Sequence, residues 1–140
     1  MKIDVQLSKK GIKKAIKELE NIQKGKTVSL LKVNAQIACV LADADKTTTN
    51  AFLTYCENIG KAFQIRDDIL DVIGNQDELG KPIGSDEEMN KNTYVSLLGL
   101  EKSQKLVNEL TLEAIKNIKS VCDNCDNLVE LAEYLAKRNS

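Results

Sequence analysis

Nothing in this chain constrains its fold more than the stretch from Thr47 to Ile73. It contains no proline and places Phe52, Tyr55, Ile59, Phe63, Ile69, Leu70, Val72 and Ile73 at spacings that suit a helix. One of the threonines from Thr47 to Thr49 is its expected cap and Gly74 its expected stop. About 25 residues of helix reach nearly 40 Å, long for a chain of 140 residues. The apolar positions spread broadly around such a helix, so it needs neighbours on several sides. With one proline, seven glycines and five Phe or Tyr residues, the rest of the chain also favours helices over a strand-rich sandwich. The expected class is all-α.

The flanking segments supply the neighbours. Residues 1–7 read as the tail of an element that begins upstream. A helix follows from Ser8 to Gly25, with Ile12, Ile16, Leu19 and Ile22 on one face and lysines on the other. Lys26-Thr27 opens the next helix, with Thr27 as N-cap and Leu30, Leu31, Val33, Ile37, Ala38 and Leu41 as its stripe. A lysine beside a helix N-terminus favours anions, although an ordinary cap beside a surface lysine is the commoner meaning of that pattern. Ala42 to Lys46 is a turn, and residues 74–92 form a long, charged loop of the kind that is functional or disordered. Helices resume at 93–100, at 103–121 and from about Asn127 onward, the last with Leu128, Leu131 and Leu135 at helical spacing. The whole of 1–140 reads as one all-helical region.

Composition excludes several classes. A net charge of −1 with no basic tract gives nucleic acid no footprint, and no apolar run is long enough to span a membrane. The opening Met-Lys-Ile-Asp-Val-Gln lacks an apolar signal core, and four cysteines in such a chain fit a reducing, cytoplasmic setting. With no histidine, catalytic triads and His-ligated zinc are ruled out. Cys122-Asp123-Asn124-Cys125 is a single Cys-x-x-Cys without a second pair, so it closes no zinc site within one chain and is a weak redox signal.

The chemistry concentrates at Asp67, Asp68 and Asp71. Residues three and four apart share a helix face, and like charges there repel by roughly 0.2–0.5 kcal/mol per pair. Just before Gly74 they would also face the negative end of the helix dipole, where cations are preferred. So plain a breach of local rules points to a site, and the missing component is a divalent cation. An all-carboxylate set suits Mg²⁺, which takes one or two carboxylates and completes its shell with water and phosphate oxygens. Acidic clusters also occur on solvated surfaces. The surrounding apolar run and the downstream Gly80-Lys81…Gly84-Ser85-Asp86 favour a metal-bridged diphosphate site instead.

The stretch Phe63-Gln64…Asp67-Asp68…Asp71…Gly80-Lys81…Gly84-Ser85-Asp86…Asn90-Lys91…Thr93-Tyr94 resembles the second aspartate-rich region of trans-polyprenyl diphosphate synthases, such as farnesyl diphosphate synthase (geranyltranstransferase). Lys26-Thr27 is similar to that family's Lys-Thr pair, and Ile3-Asp4-Val5 to the end of its Gly-Gln-x-x-Asp segment. The resemblance implies an antiparallel helical bundle of the isoprenoid synthase type around a deep apolar cavity. It also implies a Mg²⁺-dependent (or Mn²⁺-dependent) condensation of an allylic diphosphate with isopentenyl diphosphate. By the same resemblance Asp67, Asp68 and Asp71 bind the metal, with Asp86 in its outer shell. Lys26, Lys81 and Lys91 hold the allylic diphosphate, and Thr27 and Gln64 face the reacting end of the prenyl chain.

Departures from the family pattern matter as much. The family uses two aspartate-rich regions that face each other; this sequence has one, and Asp43-Ala44-Asp45 is too short to be the other. Arg66 and Arg138 are the only arginines, so the adjacent arginine pair that follows the family's first motif is absent. Family members are roughly twice this length. The expectation is the C-terminal half of a polyprenyl synthase, whether excised or the product of a truncated or split gene. Such a half would be inactive alone and would pair as a homodimer or with an N-terminal half. A non-catalytic helical interaction module is the rival reading.

Overall fold

The computed structural model describes residues 9–23, 27–79 and 93–139; Lys26, Lys81, Asp86 and Lys91 lie outside the described residues. Among the described residues six helices follow one another: α1 Lys9–Gln23, α2 Ser29–Leu41, α3 Lys46–Leu79, α4 Tyr94–Leu98, α5 Leu100–Lys119 and α6 Asp126–Lys137. No strand occurs among the described residues. The all-α expectation holds.

α3 is the axis of the fold. It packs most extensively against α5, then against α2, α6 and α4, so the broad apolar coverage read from the sequence does meet neighbours on several sides. Two core clusters are strung along it. The first gathers Tyr55, Cys56 and Ile59 with Ala114, Ile118, Cys125 and Ala132. The second gathers Ala62, Ile65 and Ile69 with Tyr94, Val107 and Ala136. At the α2–α3 crossing, Gly60 permits close approach: a Cβ there would lie 2.9 Å from Val28 Cγ2. Between α4 and α5, Gly99 adopts φ 85°, where a side chain would be strained, and this lets two helices meet without a longer loop.

Three boundary expectations require correction. α3 does not stop at Gly74 but runs on to Leu79, so the expected 74–92 loop begins as helix and its remainder, 80–92, lies outside the described residues. Glycine in a helix interior costs only about 1 kcal/mol against alanine; Gly74 has open space around it, and no proline follows before Pro82. At 34 residues α3 is about 50 Å long. The cap of α3 is Asp45 rather than a threonine: its Oδ1 accepts from the Thr48 backbone N–H at 2.7 Å, and this bond holds the Asp45 carboxyl below its usual range. Nor does Thr27 cap α2. Residues 27–28 form a π-type turn leading into Ser29, no side chain caps that end, and the Thr27 hydroxyl is engaged elsewhere.

Candidate functional site

Because α3 continues past Gly74, Asp67, Asp68 and Asp71 sit in its interior, two or more turns from its C-terminal end. The dipole argument made from the sequence therefore falls away; the dipole's influence is confined to the last turn. The mutual repulsion of the three carboxylates remains, and the structure disposes of them in three different ways.

Asp68 turns toward α4. Its Oδ2 accepts from the Tyr94 backbone N–H at 3.3 Å, at the first turn of that helix. The preceding residue, Thr93, closes a reciprocal cap with Ser96: Thr93 Oγ1 accepts from Ser96 N–H at 3.1 Å and Ser96 Oγ accepts from Thr93 N–H at 2.9 Å. α4 is thus presented in a fixed orientation to the carboxylate. Burial raises the Asp68 pKa, the Tyr94 hydrogen bond opposes that rise, and the nearby Asp71 charge adds to it.

Asp67 and Asp71, four residues apart on α3, open onto one cleft of about 380 Å³, lined among the described residues also by Leu70, Ile73, Gly74, Arg138 and Asn139. Asp71 is exposed. Asp67 forms an ion pair with Arg138, the residue that follows α6.

Gln64 and Thr27 meet across α3 and α2, with Gln64 Nε2 donating to Thr27 Oγ1 at 2.8 Å. Gln64 precedes Asp67 by three residues and Asp71 by seven, so all three share one side of α3, roughly one and two turns apart. Of the residues singled out in the sequence, the fold therefore gathers Thr27, Gln64, Asp67, Asp68 and Asp71 along one side of the central helix, with Asp68 at the edge nearest α4.

Reading the sequence missed Arg66 and Arg138 as members of this region. Arg66 Nε donates to the Arg138 backbone carbonyl at 3.0 Å, and its Nη1 donates to Gln104 Oε1 of α5 at 2.9 Å. The Arg138 guanidinium lies over the Phe63 ring, 4.2 Å from its centroid. The available signal was scarcity: these are the only two arginines in a chain whose other basic residues are all lysine.

No group of three or more acidic, histidine or cysteine side chains converges on a single cation position among the described residues. The donor set still fits a divalent ion of the Mg²⁺ type: all hard oxygens, with two carboxylates beside open space, which is what an ion shared with a phosphate ligand requires. The four cysteines are free thiols.

The fold and site define a class: an all-helical protein with carboxylates aligned along its central helix, facing an open cleft. Comparison with known proteins is specific. The polyprenyl synthetase family model matches residues 3–132. Over 125 residues the chain is 36% identical to farnesyl diphosphate synthase of Escherichia coli (strain K12), covering 86% of this chain and 42% of that protein. It is 39% identical over 115 residues to geranylgeranyl diphosphate synthase of Cyanophora paradoxa, covering 82% and 38%. With farnesyl diphosphate synthase of Bacillus subtilis (strain 168) it shares 38% over 124 residues, covering 89% and 42%. This chain belongs to the polyprenyl synthetase family and has its all-α fold; it spans about two fifths of the length of the curated relatives it matches.

Proposed function

We propose that this chain carries the second metal and diphosphate half-site of a prenyltransferase of isoprenoid biosynthesis. That enzyme would condense an allylic diphosphate with isopentenyl diphosphate in a cytoplasmic setting. One observation supports this above others: Asp67 and Asp71 open side by side onto a cleft, on the side of α3 that also carries the Gln64–Thr27 pair.

In this reading Asp67 and Asp71, with Asp68 beside them and Asp86 in the outer shell, hold Mg²⁺ or Mn²⁺. A bound divalent cation supplies charge neutralisation for a departing diphosphate. Lys26, Lys81 and Lys91 bind the diphosphate oxygens, and a cationic cradle of this kind stabilises the leaving group as negative charge builds on it. Gln64 and Thr27 orient each other. With the Gln64 amide nitrogen committed to Thr27, its carbonyl oxygen is the end that faces developing positive charge on the prenyl chain. Leu70 and Ile73 give the cleft an apolar wall; in this reading the missing half closes over it, because a carbocation must be kept from water.

Because these 140 residues hold one aspartate-rich motif, the chain alone is expected to bind metal–diphosphate without condensing substrates. Calorimetric titration with pyrophosphate in the presence of Mg²⁺ tests the site. Binding is expected for the wild type and lost in Asp67→Ala and Asp71→Ala; binding unchanged in both variants removes the assignment. Turnover of geranyl and isopentenyl diphosphates by the purified chain above a trace rate would show that the half-site reading is wrong.

A second reading, a helical assembly fragment that needs a partner, draws on a different observation. Leu30, Val33, Ile37, Val40 and Leu41 form an exposed apolar stripe along α2, where a solvated helix would carry charge. A second copy of the chain or a separate N-terminal half are the two candidates. Size-exclusion mass of the chain alone, and with an N-terminal half supplied, separates them. No described helix is long and apolar enough to cross a membrane.

A further inference from the structure

Arg138 is held at three points by residues on one side of α3. Its backbone carbonyl accepts from Arg66 Nε, its guanidinium lies on the Phe63 ring, and that same guanidinium pairs with Asp67. These partners occupy positions 63, 66 and 67, spaced as helix neighbours are. Arg66 is itself anchored on Gln104 of α5, so α3, α5 and the end of α6 are joined at one place. The arrangement differs from an ordinary surface ion pair, whose long side chains are mobile and well screened. The Arg138 side chain is only 15% exposed, against 42% for Asp67. The cation is stacked and partly withdrawn from water, while its carboxylate partner still borders the cleft.

That geometry has a consequence for any cation that approaches the cleft. Among the described residues, Asp67 and Asp71 are the carboxylates lining it, and Asp67 already has a counter-cation. A divalent ion can engage Asp67 fully only by displacing the guanidinium or by sharing a carboxylate with it, at a cost in repulsion. Apparent affinity then falls by the fraction of molecules in which the carboxylate is released.

We infer that Arg138 is a built-in counter-cation latch on Asp67: it neutralises the half-site when no metal is bound and is displaced when a divalent ion takes the carboxylate. The inference rests on the proposed role of Asp67 and Asp71 as cation ligands. Arg138 is here a positioning residue that acts through Asp67. Arg66 sets the latch by holding the Arg138 carbonyl, and Phe63 provides the surface on which the guanidinium rests.

The test uses Mn²⁺ alone, with binding to the 140-residue chain read by electron paramagnetic resonance. Arg138→Gln is expected to bind Mn²⁺ about three- to tenfold more tightly than the wild type, the range that follows if the latch is closed in most molecules. Arg66→Gln, which loosens the latch but leaves its charge, should shift affinity the same way by a smaller factor. The wild type gives a second readout that needs no variant to fold. With only two arginines, its guanidinium Nε–Hε spectrum holds two resonances, and Mg²⁺ should move that of Arg138 toward the position of a solvated arginine. Mn²⁺ affinity in Arg138→Gln equal to or weaker than wild type overturns the latch. So does an Arg138 resonance that stays put while Mg²⁺ binds. If neither wild type nor Arg138→Gln binds Mn²⁺ at millimolar concentration, the cation reading fails and the latch with it. Equal binding by the two sinks the latch alone.

Discussion

The two ends of α3 treat polar groups in opposite ways. In its first half, Tyr55 is buried and its hydroxyl donates to the Leu128 carbonyl at 2.6 Å, tying α3 to α6. Glu57 lies between Lys32 of α2 and Lys61 of its own helix, 3.4 Å from each ammonium. In the second half, Asp71 is exposed on a cleft and Asp67 is paired with a residue from the end of α6. The first half uses polar groups to fix helix positions. The second places carboxylates where a ligand can reach them. One continuous helix thus serves as scaffold at one end and, under the proposed function, as binding surface at the other, and that continuity keeps the carboxylates in register.

The comparison is broken most forcefully in the cores that flank it. Ile65→Ala, at a fully buried position between the halves, should cost about 2–5 kcal/mol as a cavity mutation, measured by urea denaturation. Gly60→Ala comes next: its new methyl would press on Val28 Cγ2 at the α2–α3 crossing, and overpacking of this kind costs about 1–3 kcal/mol.

Tyr55→Phe sharpens the scaffold half. It removes the hydroxyl's bond to the Leu128 carbonyl, for a loss on the order of 1 kcal/mol at neutral pH. Burial, helped by the neighbouring Cys56 and Cys125 groups, pushes the Tyr55 pKa up from 10.0 to about 12. The folded state therefore keeps this proton at pH values where the unfolded chain has lost it. The stability this group contributes is fully present below pH 10 and is lost as pH rises from 10 to about 12. The alkaline slope of thermal stability should flatten in Tyr55→Phe; an identical slope would place the titration elsewhere.

Glu57→Gln gives a smaller effect. Burial raises the Glu57 pKa, but the hydrogen bonds and charges of Lys32 and Lys61 outweigh it, so the net shift is downward. Its contribution is present above the ordinary carboxylate pKa and lost as pH falls through the depressed folded value. The variant should be less stable than wild type by under 1 kcal/mol near neutrality, with the gap closing in acid. Asp71→Ala is predicted to change stability least, within about 0.5 kcal/mol, as an exposed position, while abolishing Mg²⁺-dependent pyrophosphate binding. A large loss of stability there would mean that the binding end of α3 is scaffold after all.

Much of this was legible beforehand. Apolar spacing alone marked the central helix and the helices after Thr93, because helical periodicity is a local property that each segment carries by itself. The aspartates were visible because their mutual repulsion breaks a local rule. The choice of Gly74 as a stop failed because a single glycine carries a small penalty that helix continuation overcomes. Thr27 was misjudged for a different reason: a threonine near a helix start suits a cap equally well as a cross-helix acceptor, and only the packing of α2 on α3 selects the Gln64 bond. Asp68 could not be told from Asp67 and Asp71 without α4 in place.

By itself, then, the sequence determined the helical class, the family resemblance and the carboxylates around which the chain is organised. The class and the carboxylates depend on residues within a few turns of one another, and the resemblance on short motifs read in order along the chain. Tertiary structure alone decided which carboxylates share a cleft, which one faces α4, and that an arginine 71 positions further along pairs with Asp67. Such pairings are set by how α6 crosses α3, a consequence of core packing that no local pattern encodes.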